Sequence, residues 1–399
     1  MITFISTFFF IYIAVKLYIS VMQIGFVSEN KKKDPFILSP DEYLKAGEYS
    51  VGKERLSLIS TILEYGLFIF WINDGMKILS SLNNDFSETL QTLSFIFGFL
   101  FINMLVNLPL DFYQKFVLDQ KFGFNKSSKI LFLTDTLKEI LLTLAIGTPI
   151  ILGMVYFIEN SENWWLWSFG IMFSFVLFAN MLYPTVIAPL FNKMSPLEDK
   201  ELNSKIEGIL SKVGFKSSGV FTIDASKRDG RLNAYFGGLG SAKRVVLFDT
   251  LLEKLNHGEI LAVLGHELGH FKNGDIYKNI GIMGGILFAL FYLIGHVPDS
   301  LFEILGIEKN SETLLVILML FSSPILFFVM PIFGYISRRN EYGADKVGSE
   351  LAGSSLLLKE ALKKLVVENK AFPKSHKIYI FFYYTHPPLS ERLEHLEKL

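Results

Sequence analysis

Seven long apolar stretches constrain what this chain can fold into more than any other feature of its sequence. They lie near residues 2–22, 56–73, 91–110, 140–158, 164–190, 279–306 and 313–336. Each has about 18 residues or more, which is enough for an α-helix to cross a hydrocarbon core of about 30 Å. The sequence therefore predicts a mainly α-helical membrane protein with seven transmembrane spans.

The composition agrees with this prediction and limits the partners. Apolar residues make up 51% of the 399 residues and charged residues only 19%, whereas a soluble domain has about 25% charged residues. A formal net charge of −1 gives no basis for binding nucleic acid, so the partner that the composition predicts is the lipid bilayer. The chain has no cysteine, so any bound metal must be held by His, Asp or Glu.

The distribution of lysine and arginine sets the expected orientation in the membrane. Basic residues cluster after spans 1, 3 and 7, in the segments 31–55, 115–129 and 338–339, while the alternate loops have few. The positive-inside rule places these segments in the cytoplasm and the N-terminus outside it. The first stretch is too long for the apolar part of a signal peptide, so we expect it to be retained as span 1. The expected location is the inner membrane of a bacterium or the endoplasmic reticulum of a eukaryote.

The spans divide the chain into four parts. Residues 1–191 hold spans 1–5 with their cytoplasmic loops, and residues 276–336 hold spans 6 and 7. The segments 192–275 and 337–399 are polar and fall on the cytoplasmic side. Polar side chains also interrupt the first three spans, where they are expected to face a protein interior or a wet cavity unless they lie at the interface; they are Lys16, Glu64, Asn73, Asp74, Asn103, Asn107 and Asp111.

The sequence pattern predicts helices and strands in both polar segments. The first predicts an amphipathic helix over 197–213, short strands over 220–223, 234–236 and 244–248, and a helix over 259–271. The second predicts helices over 340–351, 354–369 and 390–398. Together they indicate a small α/β body attached to a helical membrane bundle.

One motif carries clear chemistry. The sequence His266-Glu267-Leu268-Gly269-His270 places two imidazoles four residues apart on a helix, so both can reach one zinc ion. Glu267 lies beside them and can take a proton from a water molecule that the metal activates. The pattern predicts peptide hydrolysis with one zinc ion per chain; the competing interpretation is a helix that happens to carry two surface histidines.

A site of this type needs a third protein ligand and an open fourth position. Glu341 is the best candidate, because the hairpin of spans 6 and 7 returns the chain to the membrane face that carries His270. Asp345 lies one turn further on and can orient a ligating imidazole, while Arg338 lies three residues before and can fix a carboxylate. For a lone glutamate, an ordinary exposed helical charge is the commoner interpretation.

Two further residues are candidates for contacting the substrate. Asn233 precedes a short strand to which an extended peptide could add, and His386 lies in the rigid Thr385-His386-Pro387-Pro388 loop. Either could donate a hydrogen bond to a developing oxyanion. Composition and spacing alone do not separate these roles from purely structural ones.

The motifs together resemble one known family, the integral-membrane zinc metallopeptidases of the type I CAAX prenyl endopeptidase. The resemblance covers nearly the whole chain, with motifs in the family's order: Leu108-Pro109, Phe122-Gly123-Phe124-Asn125-Lys126, Asn233-Ala234-Tyr235-Phe236, Val246-Leu247-Phe248-Asp249-Thr250-Leu251, His266–His270, Glu341–Asp345, and His386-Pro387-Pro388 with Glu391-Arg392-Leu393. It implies a seven-helix bundle that encloses a chamber, closed on its cytoplasmic side by a zincin-type α/β domain. It also implies zinc ligands at His266, His270 and Glu341, Glu267 as the base, and Asn233 and His386 beside the substrate carbonyl.

The resemblance leaves the substrate open. The family's eukaryotic role is cleavage of prenylated C-terminal CAAX peptides, whereas a bacterial member is expected to act as a general quality-control protease on membrane proteins. A transporter or a metal-free scaffold is the alternative that is not an enzyme, but neither function needs the His266–His270 motif. A protease that cuts within a transmembrane helix would carry that motif inside a span, and here it lies in a polar segment.

Overall fold

The membrane part is a bundle of seven helices, as the sequence predicts. The computed structural model describes residues 2–83, 87–238 and 243–399. Within these residues, seven helices are long and apolar enough to cross a membrane: Ser6–Asn30, Pro40–Leu82, Glu88–Asp119, Lys129–Asn160, Trp164–Phe191, Asp275–Gly295 and Ser311–Ala352.

Three of the first five spans contain a π-helical turn. The helices are α1 (Ile2–Asn30), α2 (Pro40–Phe70), α3 (Met76–Asn83), α4 (Glu88–Tyr113), α5 (Lys129–Asn160), α6 (Trp164–Leu182) and α7 (Ala188–Phe191). The π turns at Trp71–Gly75 and Tyr183–Ile187 join α2 to α3 and α6 to α7, and the turn at Gln114–Asp119 extends α4. Such turns keep a helix continuous while they shift its side chains around the axis.

The sixth span is shorter than predicted. The apolar run over 279–306 contains two helices, the membrane helix α11 (Asp275–Gly295) and the short helix α12 (Asp299–Leu305). Pro298 caps the start of α12 and cannot continue α11, because it lacks the backbone donor. Hydropathy alone predicted a single span here, because Leu301, Phe302 and Leu305 of α12 are also apolar; in the structure they lie buried.

The seventh span continues far beyond its apolar part. Helix α13 (Ser311–Ala352) is one helix of 42 residues, whereas the sequence predicts a membrane span over 313–336 and a separate helix from residue 340. The polar residues between them carry no helix-breaking signal, so the helix runs on out of the apolar region. Glu341 therefore lies in the interior of a helix and not at its start.

The segment between spans 5 and 6 is the predicted α/β body. Its strands are β1 (Met194–Pro196), β2 (Val220–Ile223), β3 (Ala234–Gly237) and β4 (Arg244–Phe248), in the order β1-β2-β4-β3. Strands β2 and β4 are parallel, and the outer strands pair antiparallel to them. The three predicted strands are confirmed and β1 was missed; β3 is an edge strand, pairing only with β4 among the described residues.

Helices cover the sheet and complete the C-terminal segment. They are α8 (Lys200–Lys212), α9 (Asp249–Lys254), α10 (His257–Lys272), α14 (Ser355–Glu368), α15 (Lys377–Tyr383) and α16 (Leu389–Leu396). The apolar faces of α8 and α10 pack on the sheet in one core that includes Ile206, Val245, Leu247 and Leu264. The sequence predicted all of these except α9 and α15, which have only six and seven residues.

Helices α10 and α13 approach each other at the level of the backbone. A Cβ atom added at Gly269 would lie 2.7 Å from Cα of Ala344, and one added at Gly348 would lie 2.7 Å from the backbone nitrogen of His266. Real Cβ atoms do not come so close to backbone atoms, so only glycine fits at these two positions. The small residues thus bring the two histidines of α10 beside the glutamate of α13.

Ion pairs fasten the α/β body to the membrane bundle. Arg228 donates two hydrogen bonds to the carboxylate of Asp135 on α5, of 2.8 and 2.9 Å. Arg231 lies 2.9 Å from a carboxylate oxygen of Asp119, which also accepts a 2.7 Å bond from the hydroxyl of Tyr49 on α2. Bidentate and networked pairs of this kind fix orientation as well as distance.

Cavities lie between the membrane helices. One has a volume of about 840 Å³ and is lined mostly by apolar side chains of α4, α5, α6 and α13, with Asp135 and Arg228 among its polar lining residues. A second, of about 300 Å³, contains Glu64, Asn103 and Asn107, and Glu64 accepts a 2.7 Å bond from Lys16. These polar side chains of the spans therefore face the interior, as expected.

Candidate metal centre

The two histidines of the motif converge because α10 is a capped and continuous α-helix. The side chain of Asn256 accepts a hydrogen bond from the backbone N–H of Glu259, and the carboxylate of Glu259 accepts one from the backbone N–H of Asn256. This capping box begins the helix. Helical spacing then puts His266 and His270 on one face, with their ring centroids 4.9 Å apart. His266 is buried and His270 is partly buried.

Glu341 completes a cluster of three potential ligands. Nε2 of His266 lies 3.4 Å from Oε2 of Glu341, and Nε2 of His270 lies 3.2 Å from Oε1. One ligand atom from each of the three residues falls within 4.8 Å of the others. Glu341 is only 2% exposed, so it is not the ordinary surface charge of the competing interpretation.

A second layer of carboxylates orients both imidazoles. Nδ1 of His266 lies 2.8 Å from Oδ1 of Asp345, the contact that the sequence suggested for this aspartate. Nδ1 of His270 lies 3.0 Å from Oδ2 of Asp275, a residue that sequence reasoning missed. Gly274, whose φ of 70° suits glycine, makes the tight turn that swings Asp275 back toward His270. In both rings, Nε2 is therefore left facing the centre of the cluster.

The arginine that supports the carboxylates is Arg392 and not Arg338. Arg392 lies on α16, where it donates a 3.0 Å bond from Nε and a second bond from Nη2 to Asp345. Its Nη1 also lies 3.4 Å from Oε2 of Glu341. Arg338 instead donates to the backbone carbonyls of Ile380 and Tyr384, because its side chain leaves α13 on the side that faces α15.

The error about the arginine has a simple physical cause. Arg338 is close to Glu341 along one helix, whereas Arg392 reaches it only after α16 has packed across α13. The Glu391-Arg392-Leu393 triplet was part of the family resemblance, and it was the one available signal for this residue. Arg338 holds the segment that leads from α15 to His386.

The cluster strongly favours positive charge. Burial alone opposes protonation of His270, but contacts with the carboxylates of Glu341 and Asp275 outweigh it and raise the pKa to about 9. His266 shows the same balance: burial lowers its pKa, and contacts with Asp345 and Glu341 raise it above the ordinary value. A pocket that stabilises imidazolium so well will also stabilise a metal cation in place of the protons.

The remaining candidates lie at different distances from the cluster. Glu267 is partly buried, and its carboxylate forms no hydrogen bond to any described residue. Nε2 of His386 lies 3.4 Å from Oε1 of Glu341, although 61% of its side chain is exposed. Asn233 is exposed at the start of β3, and its side chain bonds only to the backbone of Ala234 in the described structure. The structure thus joins His386 to the cluster, whereas Asn233 makes no hydrogen bond or ion pair to it within the described residues.

The donor set fits a metal ion. Oε2 of Glu341 is fully buried and accepts no hydrogen bond within the described structure. Nε2 of His266 and Nη1 of Arg392 each lie 3.4 Å from it, so its lone pairs stay available to a cation that binds between the ligands. Two imidazoles and a carboxylate are ligands that divalent first-row metals accept. The exposed side of His386 leaves an approach to the cluster from solvent.

The fold and this site together define a membrane metallopeptidase, and comparison with known proteins agrees. Residues 32–193 match the family model described as CAAX prenyl protease N-terminal, five membrane helices. Residues 196–399 match the model of peptidase family M48. The chain belongs to this family of membrane metallopeptidases and is a metalloendopeptidase.

Individual relatives align over most of their length. The CAAX prenyl protease 1 homolog of Oryza sativa subsp. japonica is 33% identical over 90% of this chain and 88% of its own length. CAAX prenyl protease 1 of Saccharomyces cerevisiae is 32% identical over 90% and 86%, and the uncharacterized metalloprotease YhfN of Bacillus subtilis is 31% identical over 90% and 87%. The crystal structure of S. mikatae Ste24p superposes with a TM-score of 0.88 at 31% identity, covering 98% of this chain and 97% of that one.

The contact between Asp275 and His270 generates a prediction about metal affinity. Replacing Asp275 with Ala removes the group that orients the ring, and loss of such a partner weakens metal binding about 10- to 100-fold. We expect the purified variant to lose its metal at correspondingly lower chelator concentrations.

Lys278→Ala is the control, because Lys278 donates a 2.9 Å bond to the other oxygen of Asp275 and leaves the contact with His270 in place. Wild-type metal retention in Asp275→Ala would show that the ring is oriented without this carboxylate.

Proposed function

We propose that the chain is a zinc endopeptidase in which His266, His270 and Glu341 hold the metal. The observation that carries this proposal is the spacing of the ligand atoms, 3.4 and 3.2 Å from the carboxylate to the two imidazoles. Two ligands about 2.0–2.1 Å from a tetrahedral zinc ion are ~3.3 Å apart, so the residues need little movement to bind it. A bound zinc ion would polarise the scissile carbonyl and lower the pKa of a water molecule to about 7.

Glu267 is the proposed general base. It follows His266 directly on α10, so its side chain projects about 100° around the helix from the imidazole and lies beside the metal ligands rather than among them. Because its carboxylate has no hydrogen-bond partner among the described residues, it is free to accept a proton from the attacking water. It can then deliver that proton to the leaving amine.

The substrate is proposed to lie along β3. This strand pairs with β4 on one side only within the described residues, and it packs beside α10, so an extended peptide could pair with its free edge and reach the metal ligands. Asn233 at the start of β3 and His386 next to Glu341 would flank that peptide. Both can donate to the oxygen of the scissile carbonyl as negative charge develops on it.

The first prediction here separates metal binding from catalysis. Glu267→Gln should keep one zinc ion per chain but lose about 10²- to 10⁴-fold in kcat, because the amide cannot accept a proton. The double variant His266→Ala/His270→Ala should lose both zinc and activity. Elemental analysis and a peptide-cleavage assay on the same preparations measure the two effects.

Either of two results would contradict the assignment. Near-normal turnover by Glu267→Gln would remove this residue as the base. Stoichiometric zinc in the double histidine variant would place the metal elsewhere in the chain.

A second prediction concerns the residues on the substrate side. His386→Ala and Asn233→Ala should each keep zinc and fold while lowering kcat much more than they raise KM. Loss of one oxyanion donor raises the barrier by roughly 2.7–4 kcal/mol. Zinc content, melting temperature and kcat should be measured on the same samples. A parallel loss of melting temperature and activity would show instead that His386 only anchors the C-terminal loop.

For the substrate we propose a prenylated C-terminal peptide of the CAAX type. Relatives named CAAX prenyl protease 1 support this class, and so does the mostly apolar cavity of about 840 Å³, whose lining includes Arg228 in the loop that precedes β3. A lipid chain attached to the peptide could occupy that cavity while the peptide lies at the metal ligands. The alternative is general cleavage of membrane proteins, which the bacterial relative keeps open.

Paired peptides distinguish the two substrates. We expect a farnesylated peptide to be cleaved with a higher kcat/KM than the same peptide with an alkyl group of one carbon on its cysteine. Equal values for the two peptides would favour the general protease.

We further propose that the active site faces the cytoplasm of an inner or endoplasmic reticulum membrane. The lysine and arginine residues at the ends of spans 1, 3 and 7 support this orientation. With the cysteine-free chain produced in the inner membrane of a bacterium, a cysteine introduced at Lys200 should resist a thiol reagent that does not cross that membrane, and one at Glu162, in the opposite loop, should react in intact cells. Labelling of the first site before permeabilisation would reverse the orientation.

A further inference from the structure

A groove lies between α2 and α4, and none of the proposed metal ligands is in its lining. It has a volume of about 600 Å³, and we call it the α2–α4 groove. Its lining combines basic and apolar side chains with one carboxylate and one tyrosine: Lys31, Glu48, Val51, Gly52, Arg55, Leu56, Ile59, Pro109, Leu110, Tyr113, Val117, Leu118, Lys121 and Phe122. Nothing in the proposed hydrolysis uses these residues.

The groove opens on the outer surface of the bundle. Nine positions separate Arg55 from Glu64, which is about two and a half turns, so the two side chains leave α2 on opposite sides. Glu64 lines the internal cavity of about 300 Å³, and Arg55 therefore faces outward. Ile59 and Ile62, on the same side as Arg55, are 54% and 61% exposed. Isoleucines so exposed on a membrane helix are expected to face lipid.

The groove changes from apolar to basic along the helix axes. Ile59, Leu110 and Pro109 lie in the apolar parts of their spans, while Arg55 and Tyr113 lie where those parts end. Lys31 and Lys121 follow at the end that bears the basic loops. An apolar floor with a tyrosine and cations at its rim is the arrangement found where a protein meets lipid headgroups.

The cations of the rim are available to an anion. Among the described residues, Lys31, Arg55 and Lys121 form no ion pair; Lys121 only lies over the ring of Phe122 at 5.2 Å. Glu48 is the one acidic residue of the lining, and it lies about 10 Å along α2 from Arg55, two turns further from the apolar floor. The rim thus has an excess of two positive charges, with Arg55 nearest the apolar floor.

We infer that the α2–α4 groove binds an anionic phospholipid of the leaflet on the basic side. The phosphate lies against Arg55 and Lys121, where the guanidinium and ammonium groups can donate charge-assisted hydrogen bonds. The acyl chains run along Leu56, Ile59 and Leu110. The tyrosine hydroxyl of Tyr113 lies at the level of the glycerol ester groups.

The test uses the purified full chain in detergent with defined lipids of identical acyl chains. Native mass spectrometry should show preferential retention of phosphatidylglycerol over phosphatidylcholine and phosphatidylethanolamine. One cation near an anionic membrane surface contributes about fivefold to affinity. The variant Arg55→Gln/Lys121→Gln should therefore bind phosphatidylglycerol about 30-fold more weakly.

Lys32→Gln/Lys45→Gln is the matched control. It removes the same charge from exposed positions near the same end of the bundle, and it should bind as the unmodified chain does. Ile59→Trp keeps every charge but fills the apolar floor, and it should also weaken binding. Melting temperatures without added lipid establish that each variant is folded.

Two outcomes would overturn the inference. Equal affinity for phosphatidylglycerol and phosphatidylcholine, unchanged in Arg55→Gln/Lys121→Gln, would mean that lipids only surround the helices. A preference for phosphatidylethanolamine would mean that Glu48 recognises an amine and that the rim cations do not select the headgroup. Neither result depends on the proposed hydrolysis.

Discussion

The backbone contact between α10 and α13 is the interaction on which the metal centre depends. Gly269 lies against Ala344, and Gly348 lies against the backbone of His266. A side chain at either glycine would push the helices apart by more than the cluster could tolerate, because its ligand atoms are only 3.2–3.4 Å from each other. The close packing of small residues therefore sets the distances between the ligand atoms, and the chemistry of the cluster depends on those distances.

Pairing with cationic and imidazole side chains explains how a buried carboxylate cluster is stable in this fold. Asp345 is completely buried, and it is compensated on two sides, by Arg392 from α16 and by the ring of His266. Asp275 is likewise paired with His270 and Lys278. Buried charges are tolerated only when each has partners. Oε2 of Glu341 lies 3.4 Å from Nη1 of Arg392 but accepts no hydrogen bond within the described structure, which leaves it available to a cation.

Charged pairs also join the membrane bundle to the α/β body. The pairs Arg228–Asp135 and Arg231–Asp119 tie the loop before β3 to α5 and to the end of the third span. This loop leads directly to Asn233 and the free edge of β3. These pairs thereby fix the position of the proposed peptide site relative to the membrane helices, and Arg228 also lines the cavity of about 840 Å³.

The sequence by itself determined the local features: seven spans, three of the four strands in the described residues, and the motif of α10 with its two histidines on one helix face. These depend on hydropathy, periodicity and spacing, which one segment carries alone. Tertiary structure decided where α11 ends, that α13 runs unbroken past Glu341, and that Arg392 rather than Arg338 supports the carboxylates. Such partners come from helices distant in sequence, and only packing brings their charges within bonding distance.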